Sequence, residues 1–299
     1  MNISITGNLG SGKSSICRYL KEKGYEIISA GTIFRELAIE HNMSVEDFNQ
    51  KVNEDIKKGD RSVDQMIDKR TAEINKWREG VIFDSRLAWN FAPDSFKVFV
   101  IVDINEAARR VYHDAVRSDS ESYESVEVCR TALVHRQQLE KQRFQELYQI
   151  DYFDMGNYNL VIESTHVSPE VVAEEIIARF AAYQRGAFRR LVELNLKSLF
   201  PTKEISDIIY IQTKTEAACE PEAEIGQAGG LWFILKGHGQ YLNAVKEGRH
   251  FLNVQVKTDF QPRILPPPAY GEYETAGGYL YHKYPGKEQL DHPNLLVFP

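Results

Sequence analysis

The sequence predicts an α/β fold: a parallel sheet with helices on both faces, followed by a smaller α+β domain. Three observations carry that expectation. Short apolar runs of strand length alternate with longer helical patterns over residues 1–185. The runs at 80–84 (GVIFD) and 97–103 (KVFVIVD) are apolar almost throughout, as strands covered on both faces are. The opening strand, 2–6, runs into a glycine-rich turn and then a helix over 13–23.

The remaining elements follow in order. Residues 25–29 (YEIIS) read as a second strand, and 31–76 as helical with breaks near Asn42 and Gly59. Residues 105–148 form a long polar helical region interrupted by a Ser/Asp/Glu-rich piece at 117–127, and 159–163 (NLVIE) is one more buried strand. Ser168-Pro169-Glu170 is a helix start, with serine as cap and proline in the first turn, and that helix runs to about 185. There the α/β rhythm stops. Residues 186–200 read as an amphipathic helix ending at Pro201, and 206–213 and 231–236 as strands around an acidic loop. From Pro262 the chain is rich in proline, glycine and tyrosine, and little regular structure is expected. The expected domains are 1–185 and 200–299.

Composition bounds the function. Of 299 residues 42% are hydrophobic and 26% charged, enough apolar surface to fold. A net charge of −7 argues against a dedicated binder of nucleic acid or anionic membrane, since such surfaces select an excess of Lys and Arg. Cys17, Cys129 and Cys219 lie far apart with no CxxC spacing, which suits reduced thiols. No apolar run approaches the roughly 20 residues that span a bilayer, and no secretory pattern opens the chain. A cytoplasmic protein is expected. Nothing in the sequence sets an oligomeric state.

Gly7-Asn-Leu-Gly-Ser-Gly12-Lys13-Ser14 matches GxxxxGK[ST] between a strand and a helix. Glycines let successive N–H groups curl into one concavity, and the helix N-terminus adds its partial positive charge. Gly7, Asn8, Gly10, Ser11, Gly12, Lys13, Ser14 and Ser15 are therefore the expected ATP-binding residues. Lys13 reaches the β- and γ-phosphates, and the Ser14 hydroxyl ligates Mg2+. The motif fixes nucleotide binding but not the reaction.

A kinase also needs cations around the moving phosphoryl group and an acceptor pocket. Arg35 follows the second strand and Arg86 the third, at the sheet edge where α/β folds place ligands. Arg70 lies in VDQMIDKR, and Arg130, Arg136 and Arg143 lie on the polar region after the fourth strand. Asp84 ends a strand beside the P-loop, placed to hold magnesium through water. Cys17 faces the sheet from the first helix and reads as core packing.

The pieces GNLGSGKSS, SAGTIFRELAIEHNMSVEDFN, VDQMIDKR, VIFDSRLAW, RQQLEKQRFQELYQID and NLVIES…SPEVVAEEI, in that order, resemble the archaeal-type cytidylate kinases among the nucleoside monophosphate kinases. The resemblance covers residues 1–180. It implies a core, an acceptor-binding helical segment at about 31–75 and a mobile lid at about 110–145. It implies that Arg35 grips the acceptor phosphate, that Arg86 contacts the acceptor nucleotide, and that Arg136 and Arg143 close over the transferring group. Asp64 and Asp68 match an acidic pair in the acceptor segment, although at i, i+4 on one helix face they also suit pairing with Lys or Arg. Gly31-Thr32 stands where the family has Gly-Asp, and Asp84-Ser85-Arg86 where it has Glu-Gly-Arg, which bears on the acceptor base or sugar.

Within residues 200–256 the run GGLWFILKGHGQYLNAVKEGRHFLNVQV (229–256) reads strand, tight turn, helix, strand, and this stretch of about 60 residues resembles the ParB/sulfiredoxin-like fold. Its phosphate-binding turn matches Gly237-His238-Gly239-Gln240, with Gln240 in place of the usual arginine and Ala244 on the helix. His238 reads either as a phosphate contact or as a hydrogen-bonded surface residue.

The resemblance thus implies an enzyme that moves a phosphoryl group from ATP to a nucleoside monophosphate, CMP or dCMP foremost. Two alternatives stay open: a nucleotide-sensing regulator coupled to a ParB-like binding module, and a P-loop kinase for another small metabolite.

Overall fold

The computed structural model describes residues 1–57, 62–114, 123–186, 190–201, 223–228, 231–257, 273–276 and 279–282. They divide into two compact units, Met1–Val161 with Pro169–Arg190, and Ile162–Ser168 with Leu191–Pro299.

In the first unit β1 (Ile3–Gly7) is buried along its whole length. It pairs in parallel with β3 (Val81–Asp84) on one side and β4 (Phe96–Ile101) on the other. β2 (Glu26–Ser29) flanks β3 in parallel and β5 (Leu160–Glu163) flanks β4, giving the order β2-β3-β1-β4-β5. After β1 the chain moves one way to β2 and β3, then crosses back to β4. That reversal puts a crevice at the carboxyl end of β1, where open α/β sheets bind ligands.

The P-loop leaves β1 at this point and enters α1 (Lys13–Glu22). Ile16, Cys17 and Leu20, spaced for one helix face, are the buried residues of α1. Burial pushes the Cys17 thiol well above its ordinary range, so it is inert packing as expected. Tyr19 on the outer side donates to Glu174 of α8 (Pro169–Gln184) at 2.7 Å.

The region expected to be helical over 31–76 forms α2 (Ala30–Glu40), α3 (Val45–Lys57) and α4 (Ser62–Trp77). The break near Asn42 is real: Asn42 takes a left-handed φ of 56°, and the Met43 N–H returns to the Ala38 carbonyl at 2.9 Å. Ser44 then accepts from the Asp47 N–H at 3.0 Å and opens α3. Gly59 lies outside the described residues. Ile33, Leu37, Phe48 and Val52 pack with Ile28, Val81 and Phe83 in one cluster, which fixes these helices to the sheet.

After the short α5 (Ala88–Phe91) and β4, Asp103 caps α6 (Ile104–Tyr112) and Ser125 caps α7 (Val126–Tyr148). Most of the expected 117–127 interruption, residues 117–122, lies outside the described residues. Leu9 of the P-loop packs in one cluster with Ala107, Ala108, Val111, Cys129 and Leu133, so the phosphate turn rests on α6 and α7.

The second unit corrects one expectation. The expected amphipathic helix over 186–200 is not formed by its described part from 190 onward: Leu191–Asn195 is β6, Leu196–Ser198 a 3-10 turn and Leu199–Pro201 β7. β6 pairs antiparallel with β10 (Phe251–Lys257), Phe251 opposite Asn195, and only a strand can use that partner. β8 (Ala223–Ala228) runs parallel to β10 and antiparallel to β9 (Leu231–Lys236), which flanks β7, so the order is β6-β10-β8-β9-β7. The expected strand at 231–236 and the helix after it are present as β9 and α9 (His238–Lys246). Gly237 sits at φ 83°, and a Cβ there would lie 2.7 Å from the Ala223 Cα, so glycine is required twice over.

His238 is 4% exposed, so it is a buried residue, not a surface one. Glu163 is buried too, accepts from the Asn195 N–H at 3.0 Å and the Ser198 hydroxyl at 2.8 Å, and has its pKa raised by burial. A hairpin of β11 (Tyr273–Ala276) and β12 (Tyr279–His282) forms in the tail, where little regular structure was expected. The 206–213 run, Cys219 and the rest of the tail lie outside the described residues. Among the described residues no helix is long and apolar enough to cross a membrane.

Candidate active site

The phosphate turn has the strained, glycine-dependent geometry its sequence implies. A Cβ at Gly7 would lie 2.4 Å from the Val100 carbonyl oxygen, and one at Gly10 would lie 2.8 Å from the Ala107 Cβ. Gly10 and Gly12 have φ of 75° and 83°, left-handed values that only glycine adopts without cost. Gly12 is also the N-cap of α1, and its carbonyl takes the N–H groups of Ser15 and Ile16 at 3.0 Å, so the helix starts directly at the turn. The Asn8 side chain holds the other rim: its amide donates to the Val102 carbonyl and accepts from the Val102 N–H, both at 3.1 Å. That side chain therefore ties the P-loop to the end of β4.

A cavity of about 710 Å³ opens over this turn. Its walls include Asn8, Gly10, Ser11, Gly12, Lys13, Ser14 and Ser15, joined by Arg86 from the segment after β3. Arg18 of α1, Arg110 of α6 and Asp114 line it as well. Lys13 Nζ lies 3.1 Å from Asp84 Oδ1, and both side chains are largely buried. The Thr6 hydroxyl donates to the Ser85 carbonyl at 3.0 Å and to the Arg86 carbonyl at 3.3 Å, fixing the chain that carries Arg86 against β1.

Arg86 turns its side chain back over the P-loop. Nη1 donates to the Gly7 carbonyl at 2.8 Å, and Nε donates to Glu140 Oε2 of α7 at 3.1 Å. Glu140 Oε1 lies 3.5 Å from Arg136 Nε, so one carboxylate stands between two of the expected arginines. The Tyr152 hydroxyl donates to the same Oε2 at 3.3 Å, and burial pushes that phenol upward.

The other expected site residues stand apart from this cavity's described walls. Arg143 on α7 pairs with Asp64 on α4 at 2.8 Å, and Tyr148 donates to Asp68 at 2.7 Å. The acidic pair thus faces α7. Burial raises the Asp68 pKa from 3.8 to about 6, against the lowering effect of the Tyr148 hydrogen bond. Arg35 is exposed on α2, where it donates to Thr32 Oγ1 at 3.3 Å, and Thr32 is held by the Ser29 cap at 3.0 Å. Arg70 pairs with Glu40 at 2.6 Å, on the outside.

Sequence reasoning missed Arg18, Arg110, Glu140 and Tyr152. Arg110 and Glu140 left a readable trace. Arg110 ends a helix that starts directly after β4, and Glu140 follows Arg136 by one helical turn inside RQQLEKQR. Tyr152 lies beyond the end of α7 and left none.

Comparison with known proteins agrees with this geometry. Residues 2–166 match the model of the cytidylate kinase-like family. The cytidylate kinase of Methanoregula boonei is 32% identical over 191 residues, 63% of this chain and 98% of that protein. The cytidylate kinase of Halobacterium salinarum is 30% identical over 62% of this chain and 91% of that protein. A solved shikimate kinase from Bacteroides thetaiotaomicron is a looser likeness, 13% identical with a TM-score of 0.41 over 62% of this chain and 98% of that one, and it carries no inference. With a P-loop at the switch point of a parallel sheet and a family match over more than half its length, the chain belongs to the cytidylate kinase-like family of P-loop nucleoside monophosphate kinases.

Proposed function

We propose that the chain transfers the γ-phosphoryl group of ATP to CMP or dCMP, giving ADP and the nucleoside diphosphate. The observation that carries this reading is one cavity walled by the P-loop, Lys13 and Arg86, on a chain whose relatives are cytidylate kinases.

An oxygen of the acceptor phosphate attacks Pγ, the bond from Pγ to the β-γ bridging oxygen breaks, and ADP leaves with that electron pair. The acceptor phosphate is already anionic near neutral pH, so no base need remove a proton. Charge spreads over three equatorial oxygens, and the protein's work is positioning and electrostatics. The backbone N–H groups of Gly10, Gly12, Lys13 and Ser14 cradle the donor phosphates, and Lys13 neutralises them. Arg35 grips the acceptor phosphate, Arg86 sits at the donor-acceptor junction, and Arg136 and Arg143 bring α7 over the site. Asp64 and Asp68 hold the acceptor segment to α7.

Magnesium, when bound, neutralises the β- and γ-phosphate oxygens. The Ser14 hydroxyl and the Asp84 carboxylate are oxygen donors of the kind it takes, in the same crevice as Lys13. Among the described residues no group of three His, Cys, Asp or Glu offers another metal site. For the second unit, a ParB/sulfiredoxin-like binding module rests only on the succession of β9, left-handed Gly237, α9 and β10.

The test is transfer of label from ATP carrying a marked γ-phosphate. Label in CDP supports the reading, provided Lys13→Ala abolishes it. Label released only as inorganic phosphate contradicts it.

A further inference from the structure

We propose that Glu140 is the positioning residue of this site: it fixes the guanidinium of Arg86 over the P-loop and so couples the lid helix to the phosphates. The inference rests on the phosphotransfer reading above and adds to it a group that the family resemblance did not single out.

Arg86 is held from two sides. The Gly7 carbonyl takes one Nη1 hydrogen at 2.8 Å, and Glu140 takes the Nε hydrogen at 3.1 Å. Guanidinium carries five N–H donors in a rigid fork. Two are spent on these anchors, and the plane they fix leaves the other three for an anion in the cavity that Arg86 lines. Without Glu140 the Gly7 contact alone is a pivot, and a pivoting fork does not present a fixed face to a transferring group.

Glu140 is itself fixed from below. Tyr152, 1% exposed, donates to the oxygen that Arg86 uses, and its ring packs edge-on against Phe144 of α7 at 5.3 Å. The carboxylate is thus strung between the aromatic core and the site, with its second oxygen toward Arg136. Side-chain exposures of 21% for Glu140 and 22% for Arg86 place the pair out of bulk solvent, where an ion pair holds geometry better than on the surface.

A fixed carboxylate beside a triphosphate works against ATP binding by charge. That gives the inference a signature which loss of structure does not imitate. In Glu140→Gln the amide oxygen can still accept from Tyr152 and from the Arg86 Nε–H, but the negative charge is gone, so Arg86 is held by a weaker, neutral hydrogen bond. The kcat for CMP phosphorylation is expected to fall about 10- to 100-fold, while ATP affinity measured by calorimetry stays equal or tightens. Tyr152→Phe removes only the strut, and a milder fall of about two- to fivefold in kcat is expected, again without loss of ATP affinity.

The position itself is read without turnover. In NMR spectra of the full chain with isotope-labelled arginine, assigned through Arg86→Lys, the Arg86 Nε–H is expected to be protected from solvent exchange. That protection should be lost in Glu140→Ala, which removes the acceptor oxygen, and weakened in Glu140→Gln. An unprotected Nε–H in the unsubstituted protein, an unchanged kcat in Glu140→Gln, or a parallel fall of kcat and ATP affinity would each overturn the inference. An unsubstituted protein that is inactive on CMP yet shows the protected resonance would instead retire the functional reading and leave the Glu140–Arg86 anchor standing.

Discussion

Lys13 Nζ and Asp84 Oδ1 stand 3.1 Å apart at the mouth of the phosphate turn, so the P-loop cation is held in place by the strand that ends beside it. On the proposed reading a bound phosphate shares Lys13 with Asp84, whose carboxylate would then be open to a cation. Lys13→Ala is expected to lower kcat about 100-fold or more, since the loss of one preorganised charge costs that order. Asp84→Asn is expected to shift the magnesium dependence of turnover to higher concentration, read from steady-state rates over a magnesium titration. An unchanged titration curve would remove Asp84 from the metal's surroundings.

Gly10 tests whether the turn's shape is a steric requirement. Its φ of 75° and the 2.8 Å approach to Ala107 both exclude a side chain. Gly10→Ala is expected to cost about 1–3 kcal/mol of stability through overpacking and left-handed strain. ATP affinity should fall with it, because the strain is relieved by opening the turn. Chemical denaturation and calorimetry check the two halves separately.

Arg35 tests the acceptor side. Thr32 stands where the resembled family has an aspartate, so on this side the Arg35 guanidinium meets a hydroxyl rather than a carboxylate. Arg35→Ala is expected to raise the KM for CMP about tenfold or more, in keeping with a lost charged hydrogen bond, and to leave the KM for ATP within about twofold. Thr32→Asp is expected to raise it in the same direction by neutralising Arg35. Initial-rate measurements with each substrate varied in turn separate these effects.

The clasp between α4 and α7 has a pH signature. Burial lifts Asp68 from 3.8 to about 6 in the folded protein, so the folded state binds more protons than the unfolded chain between those values. Stability from this group is therefore present at low pH and lost as pH rises through about 6. Asp68→Asn keeps an acceptor for Tyr148 and never ionises. The difference in melting temperature, Asp68→Asn less the unsubstituted protein, is expected to grow in the mutant's favour from pH 4 to pH 7. A flat difference would mean that Asp68 is solvated when folded.

Much of the first unit was legible in the sequence because its signals are local. GxxxxGKS between strand and helix marked the turn over which the cavity opens, and apolar runs such as VIFD and FKVFVI placed the central strands. What stayed hidden was set by tertiary pairing. LVELNLKSLF carries leucines at spacings that a helix accepts, yet its residues are buried almost without interruption, and such a run cannot be assigned by period alone. β10, some fifty residues later, decided it. The site shows the same limit. The arginines could be named one by one, but their sorting came from partners far along the chain: Glu140 for Arg86, Asp64 for Arg143 and the Gly7 carbonyl for the P-loop side.

The central claim is that one cavity over the P-loop joins ATP to a cytidine monophosphate. It is tested most directly by steady-state ADP production from ATP and magnesium against CMP, dCMP, UMP, AMP and GMP, with the purified full chain. CMP or dCMP is expected to give the highest kcat/KM, with CDP or dCDP formed in equal amount to ADP. ADP production that is independent of every monophosphate, or that is fastest with a purine, would contradict the account.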